Sequence, residues 1–463
     1  MIGRRLFPPG GKQDQRVKSA FLIIVLLSIL PLVLLLRRYE AIARVFWVCF
    51  GAGAFFLATF PLFDIGLISW GDRWVGFVYG MELSVIDFLA ILAFFTLPRS
   101  RTPLLWFAPF ALYIVAAAFS MLQAAEPLAA FFGVWQFMRM FFIAAIVARA
   151  CAFEEIPHLL LRGMALGMAA QFVTVLWQRY GLGYTQTPGL FLHQNTLGMA
   201  IHFVLLPYFA LLLAGRRNLV FVAAVLTATL ITTVFTASRA TIGFASMGLA
   251  TTFVLFAMAG LTQRKIAIAL AALVAAVIVV PVTLQAFQQR FEHVPLTENE
   301  YDERAAFSRA AAYILQDHPL GVGMNHYVLV ARDRGYSERA GVAVAEGNRN
   351  NIVHNAFRLA GAETGYPGMI AFSLMLVTPL VLALASGWRQ RATENGTLLL
   401  GFAMAMLFAY LHSFYEWILF GKEVQYLLAM TMGMTFGIAA RSRAPAVSHA
   451  FRLPHPPEIL QPR

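Results

Sequence analysis

Acidic side chains are scarce in this chain: 463 residues carry only 23 Asp and Glu against 35 Lys and Arg, and just four of the basic residues are Lys. Cysteine is nearly absent. Cys49 and Cys151 are the only two, each inside or at the edge of an apolar run. That excludes a disulfide framework and any paired-cysteine metal site, and leaves packing as their role. Charge of either sign makes up only 13% of the residues. No P-loop, dinucleotide fingerprint or His-Glu-x-x-His zinc motif occurs. Neither a metal nor a cofactor is expected.

What fills the chain instead is apolar. It is 60% hydrophobic, with a mean hydropathy of +0.70, more apolar surface than a soluble domain of this length can bury. Runs close to the roughly 20 residues needed for a membrane helix recur from Ala20 to Ala440. A closed barrel is excluded, because its strands are about 9–11 residues long and alternate in polarity. Thirteen candidate spans fall at 19–36, 41–63, 80–97, 103–122, 128–149, 157–178, 196–214, 218–236, 240–260, 266–287, 354–386, 397–418 and 423–440. The segment 354–386 is long for one crossing and is expected to tilt or break at Pro367-Gly368. The expected fold is an all-α polytopic membrane protein.

Charge gives this fold an orientation. The stretch from Gln288 to Asn351 holds nine acids and seven arginines, which leaves 14 acids and 28 basic residues elsewhere. Short basic connections at Arg99-Ser100-Arg101, Arg216-Arg217, Arg264-Lys265, Arg389 to Arg391 and Arg441 to Arg443 read as cytoplasmic. Charges split among short loops argue against nucleic acid as a partner; membrane lipids are the expected surroundings. The N-terminal cations Arg4, Arg5, Lys12, Arg16 and Lys18 precede the apolar run from Ala20 to Leu36 without a small-residue cleavage site, the pattern of an uncleaved signal anchor. Thirteen crossings with the basic loops inside would put that basic N-terminus outside. The conflict resolves if one of the first three segments does not cross, or if the first two form one broken unit. About twelve transmembrane helices are then expected, with both ends cytoplasmic. The chain divides into transmembrane spans over 1–287, a large, partly helical loop over 288–352, further spans over 353–440 and a disordered tail over 441–463.

This orientation puts His193, Ser238-Arg239 and the long loop on the outer face, where the candidate chemistry collects. Arg239 interrupts two apolar runs on the side where positive charge is disfavoured, and its guanidinium offers bidentate donors to a phosphate. Within the loop, Tyr301–Asp317 reads as a helix, with Phe307, Ala311, Ile314 and Leu315 on one face. Arg304 lies three residues before Phe307 and shares that face; Arg309 lies off it. His354-Asn355 opens the next span, and His354 is the side chain suited to taking a proton near neutral pH. His193 and Asn195 begin another outer span end. Arg139 lies within a span without an obvious partner, a candidate for a lipid or phosphate contact. No Asp-x-Asp pair stands on the outer stretches to hold a divalent ion on a diphosphate, so arginine would have to neutralise one.

Three segments together resemble the O-antigen ligase and polymerase family of bacterial membrane proteins. They are Gly189 to Asn195, Thr236 to Arg239, and the stretch from Arg304 through His318-Pro319-Leu320-Gly321-Val322-Gly323 to His354-Asn355 and Glu363 to Gly368. The resemblance implies a C-type membrane glycosyltransferase of the bacterial inner membrane, with its active site facing the periplasm. Such an enzyme moves a glycan from undecaprenyl diphosphate to an acceptor hydroxyl without a metal. It implies diphosphate-binding roles for Arg239 and Arg304 and a general-base role for His354. The ligase, which glycosylates lipid A–core, is favoured over the polymerase, which joins lipid-linked repeat units. A transporter of the lipid-linked glycan is the alternative of another class. Glycine commonly follows the Ser-Arg motif in that family, where this chain has Ala240.

Overall fold

Polar caps set where several of the helices begin. Ser84 and Asp87 form a reciprocal capping box, each side chain accepting the other's backbone N–H. Asn218, Ser238, Asn355 and Thr393 accept first-turn N–H groups in the same way. Described by the computed structural model are residues 12–59, 64–98, 102–293, 298–344 and 346–443. The Arg4-Arg5 pair, the Arg99-Ser100-Arg101 turn and the tail from 444 lie outside these residues.

In chain order the helices are α1 Lys12–Arg38, α2 Glu40–Gly53, α3 Val85–Thr96, α4 Ala108–Ser120, α5 Pro127–Ala150, α6 Ile156–Leu176 and α7 Gln194–Ala214. They continue with α8 Leu219–Phe235, α9 Arg239–Met258 and α10 Gln263–His293. The polar stretch holds α11 Glu298–Asp317, α12 Tyr327–Asp333, α13 Tyr336–Arg339 and α14 Glu346–Arg349. α15 Ala356–Arg389, α16 Glu394–His412 and α17 Lys422–Arg441 follow. The protein is an all-α polytopic membrane protein. Among the described residues, seven helices are long and apolar enough to cross a bilayer, or eight if α1 and α2 count as one. α1 and α2 meet at a bend of 118° and pass that test only as a pair. A broken first unit is one of the two arrangements that the charge parity allowed.

Seven or eight such helices among the described residues is fewer than the about twelve expected, and three span readings need correction. In the 41–63 segment the helix ends at Gly53 and turns follow. Residues 80–84 are not helical: Gly80–Ser84 (β2) pairs antiparallel with Asp64–Ser69 (β1), and only the 12 residues of α3 remain helical in that span. Hydropathy does not register this, because the apolar run of α3 outweighs the short strand ahead of it. The 397–418 segment ends as an α-helix at His412 and continues as a largely aromatic connection that carries Glu416 and a short 3-10 turn at Ile418–Phe420. The long loop helix forms as expected, with Phe307, Ala311 and Ile314 buried. The outer faces of α1 and α10 keep Leu27, Leu30, Leu273 and Val277 more than two-thirds exposed, as lipid-facing surfaces do.

Small residues bring the core helices close. Gly433 and Gly437 of α17 face the Ala144 and Ala148 carbonyls of α5, with room for nothing larger than hydrogen, and Cys151 packs there as well. The polar stretch is fastened to this frame by buried hydrogen bonds. Asn325 exchanges bonds with Val78 next to the hairpin, at 3.0 Å from the Val78 N–H and 2.8 Å to its carbonyl, and donates to Ala129 at 3.0 Å. His326 accepts from the Glu126 N–H at 3.1 Å. Glu363 of α15 accepts from the Tyr327 N–H at 3.1 Å, while its carbonyl takes the Gly323 N–H at 3.0 Å.

The break in α15 falls at Gly365, two residues before the expected Pro367-Gly368. Its φ of +70° and ψ of −174° suit glycine alone. A Cβ there would meet the Pro319 carbonyl at 2.3 Å and the Leu320 carbonyl carbon at 2.4 Å. Gly365→Ala is therefore expected to cost about 1–3 kcal/mol from backbone conformation alone, with the Pro319–Leu320 clash added. The loop should become more susceptible to limited proteolysis while the bundle stays helical by circular dichroism. A variant loop as resistant as wild type would contradict this.

Candidate functional site

The site is built where one end of the bundle meets the polar stretch. Ala356, first residue of α15, donates its N–H to the Ser413 carbonyl at 2.9 Å, and Asn355 Nδ2 donates to the Phe414 carbonyl at 3.0 Å. Phe357 and Phe414 stack with centroids 4.4 Å apart. These contacts hold the connection after α16 against the start of α15, and so carry Glu416 to His354. The Glu416 side chain is 3% exposed. One carboxylate oxygen, Oε2, lies 3.0 Å from His354 Nδ1. The other, Oε1, accepts from Asn195 Nδ2 at 2.7 Å and from Arg304 at 3.2 Å.

A single buried carboxylate thus joins three residues from distant parts of the chain. α11 presents Arg304 as its apolar stripe predicted, and Phe307, one turn on, lies 6.3 Å from the His354 ring. Arg304 keeps 38% of its side chain exposed, so part of its fork faces outward. A carboxylate at Nδ1 fixes the proton on that nitrogen and leaves Nε2 with its lone pair, the form needed to accept a proton.

The other residues singled out in the sequence divide between this end of the bundle and other roles. His193 caps α7, its Nδ1 accepting the Asn195 N–H at 3.1 Å. Desolvation pushes its imidazole below the ordinary pKa; Glu416 pulls it up, and His354 and Arg304 push it down. It therefore shares the electrostatics of the cluster. Arg239 opens α9 behind the Ser238 cap, after Ala237, whose φ of +46° is uncommon for a residue other than glycine. α9 packs on α7 and α16 at this same end: Phe244 lies 5.2 Å from the His412 ring and 5.8 Å from Tyr415. Ala240 lies inside α9, where helical backbone needs no glycine.

Arg309 and Arg139 have structural partners. Arg309 donates twice to the Ala340 carbonyl, at 2.9 and 3.3 Å, and ties α11 to the loop. Arg139, for which no partner was visible in the sequence, pairs with Asp87 at 2.7 Å and with the Tyr426 hydroxyl, 6% exposed. Asn355 caps α15. Among the described residues, no three His, Cys, Asp or Glu side chains gather closely enough to hold a metal ion.

Glu416 is the residue that sequence reasoning missed. Its signal was present but weak: an acid placed at the end of an apolar run is costly without partners, and the candidate span over 397–418 absorbed it.

Residues 222–373 match a family model described as O-antigen ligase. Arg239, Arg304 and His354 fall inside that stretch, whereas Asn195 and Glu416 fall outside it. No curated protein matches the chain.

Proposed function

Because the chain carries an O-antigen ligase family domain over residues 222–373, we propose that it transfers O-antigen polysaccharide from undecaprenyl diphosphate to a hydroxyl of lipid A–core. The reaction would take place on the periplasmic face of the inner membrane. The observation that carries this reading is Glu416, whose one carboxylate bridges a candidate base and a candidate phosphate-binding cation.

His354 Nε2 accepts the proton of the acceptor hydroxyl, and the oxygen forms its bond to the anomeric carbon of the donor sugar. The bond from that carbon to the diphosphate oxygen breaks, and its electron pair leaves with undecaprenyl diphosphate. Arg304 and Arg239 offset the charge that grows on the departing oxygens. Glu416 holds the His354 Nδ1–H and stabilises the imidazolium once the proton has arrived. Asn195 and His193 border the same space and supply further polar contacts to substrate. A single displacement inverts the anomeric centre, and a product with retained configuration would overturn this mechanism.

The deciding experiment gives purified protein a lipid-linked polysaccharide donor with either of two acceptors. Transfer to lipid A–core is the expected result. A ladder of longer lipid-linked glycans, made only when the acceptor is a lipid-linked repeat unit, would identify a polymerase using the same residues. No glycosidic product with either acceptor would refute enzymatic transfer and favour transport.

A further inference from the structure

A second polar feature lies at the far end of the bundle. α7, α9 and α15 all begin beside the cluster around Glu416 and end, at Ala214, Met258 and Arg389, around a cavity of about 470 Å³. At 1.5 Å per residue, the 21 residues of α7 separate the two places by about 30 Å. The polar residues lining the cavity are Arg216, Thr262, Arg264, Lys265, Arg389 and Arg391. Five of these six are cationic, and no acid lines the cavity.

Basic residues at this end are expected from membrane orientation alone, and part of the charge caps helix ends. Lys265 Nζ donates to the Phe256 carbonyl at 2.7 Å and to the Gly260 carbonyl at 2.5 Å. Arg216 donates to the Ala392 carbonyl at 2.5 Å, and Arg389 and Arg391 donate to the Ala385 and Trp388 carbonyls at the end of α15. All of these partners are neutral. Among the described residues none of the five cations forms a salt bridge, whereas neighbouring Arg217 is paired with Glu394. Arg216 Nε is buried without a hydrogen-bond partner, and the Arg264 guanidinium packs against the backbone of Gly215. Five uncompensated cations around one cavity repel one another, and an anion between them removes that cost.

The rim indicates where the anion comes from. Met258, Leu261 and Ile266, each next to a lining residue in the chain, are 71%, 66% and 49% exposed. They form an apolar border beside a cationic cavity, which suits a ligand with a charged head and hydrocarbon chains. We infer that this cavity binds the phosphate of an anionic phospholipid, its headgroup among Arg216, Arg264, Lys265, Arg389 and Arg391 and its chains along α9 and α10. Guanidinium forks favour phosphate oxygens over other acceptors.

The test is native mass spectrometry of the purified full-length protein in detergent, titrated separately with phosphatidylglycerol, phosphatidylcholine and inorganic phosphate. Arg264, Arg389 and Arg391 are exposed, so the triple variant Arg264→Gln/Arg389→Gln/Arg391→Gln should keep the fold. Wild type should retain phosphatidylglycerol at least about tenfold more tightly than this variant, and should discriminate against phosphatidylcholine. A second triple variant, Arg37→Gln/Arg38→Gln/Arg44→Gln, removes equal charge at exposed positions elsewhere and should bind like wild type. Equal binding by wild type and the first variant, or an equal loss in the second, would overturn the site. Binding of inorganic phosphate without phosphatidylglycerol would overturn the lipid as its source.

Discussion

Replacing His354 by alanine is expected to slow glycan transfer by about 10²–10⁴-fold, the usual contribution of a positioned general base, while donor binding stays near wild type. The split follows from position. His354 meets the Glu416 carboxylate through Nδ1 at 3.0 Å, and in the proposed mechanism its free Nε2 serves the acceptor hydroxyl and not the diphosphate. Single-turnover transfer with saturating donor, together with a direct donor-binding titration, separates the two effects. Arg239→Ala should weaken both, because a phosphate-binding cation acts on the bound donor and on the leaving diphosphate alike. A His354→Ala enzyme with wild-type turnover would remove this residue from the mechanism.

Glu416→Gln should lower turnover by about 10²-fold or more without weakening donor binding. The amide keeps the size of the side chain, and its carbonyl at the Oε1 position can still accept from Asn195 and Arg304, but its NH2 at the Oε2 position cannot accept the His354 Nδ1–H. The lost negative charge is what matters. An imidazolium forming at His354 would no longer have an anion on Nδ1 to stabilise it. Arg304 would be released from its carboxylate partner, and a diphosphate near Arg304 would lose a repulsive neighbour. Donor affinity should therefore hold or rise as turnover falls. A merely structural role would lower folded protein and donor binding together. Reduced folded protein with wild-type turnover per folded molecule would assign Glu416 to stability alone.

The chain's own pattern determined much of this protein. Apolar runs of span length identified a polytopic helical membrane protein, because backbone buried in lipid must satisfy its own hydrogen bonds. The Phe307–Ala311–Ile314 stripe placed Arg304 toward the bundle, since residues three and four apart share a helix face. Basic turns sorted the connections: Arg216 reaches Ala392, Arg217 pairs with Glu394, and Arg441 reaches Asn395, all at the end away from Glu416. A break near Pro367-Gly368 was legible, and it falls two residues earlier because the backbone at Gly365 suits glycine alone.

Only the tertiary structure decided which of the polar residues act together. Asn195, Arg304, His354 and Glu416 are distant in sequence, and no periodicity links α7, α11, the start of α15 and the connection after α16. Local pattern reports which face a side chain occupies, not which partner it meets across the bundle. Arg139 had no visible partner because its carboxylate, Asp87, lies 52 residues away on another helix. Glu416 was hidden for the opposite reason, being one acid at the end of an apolar run. Burial makes such a residue costly on its own, and its three partners, gathered only by folding, make it stable there.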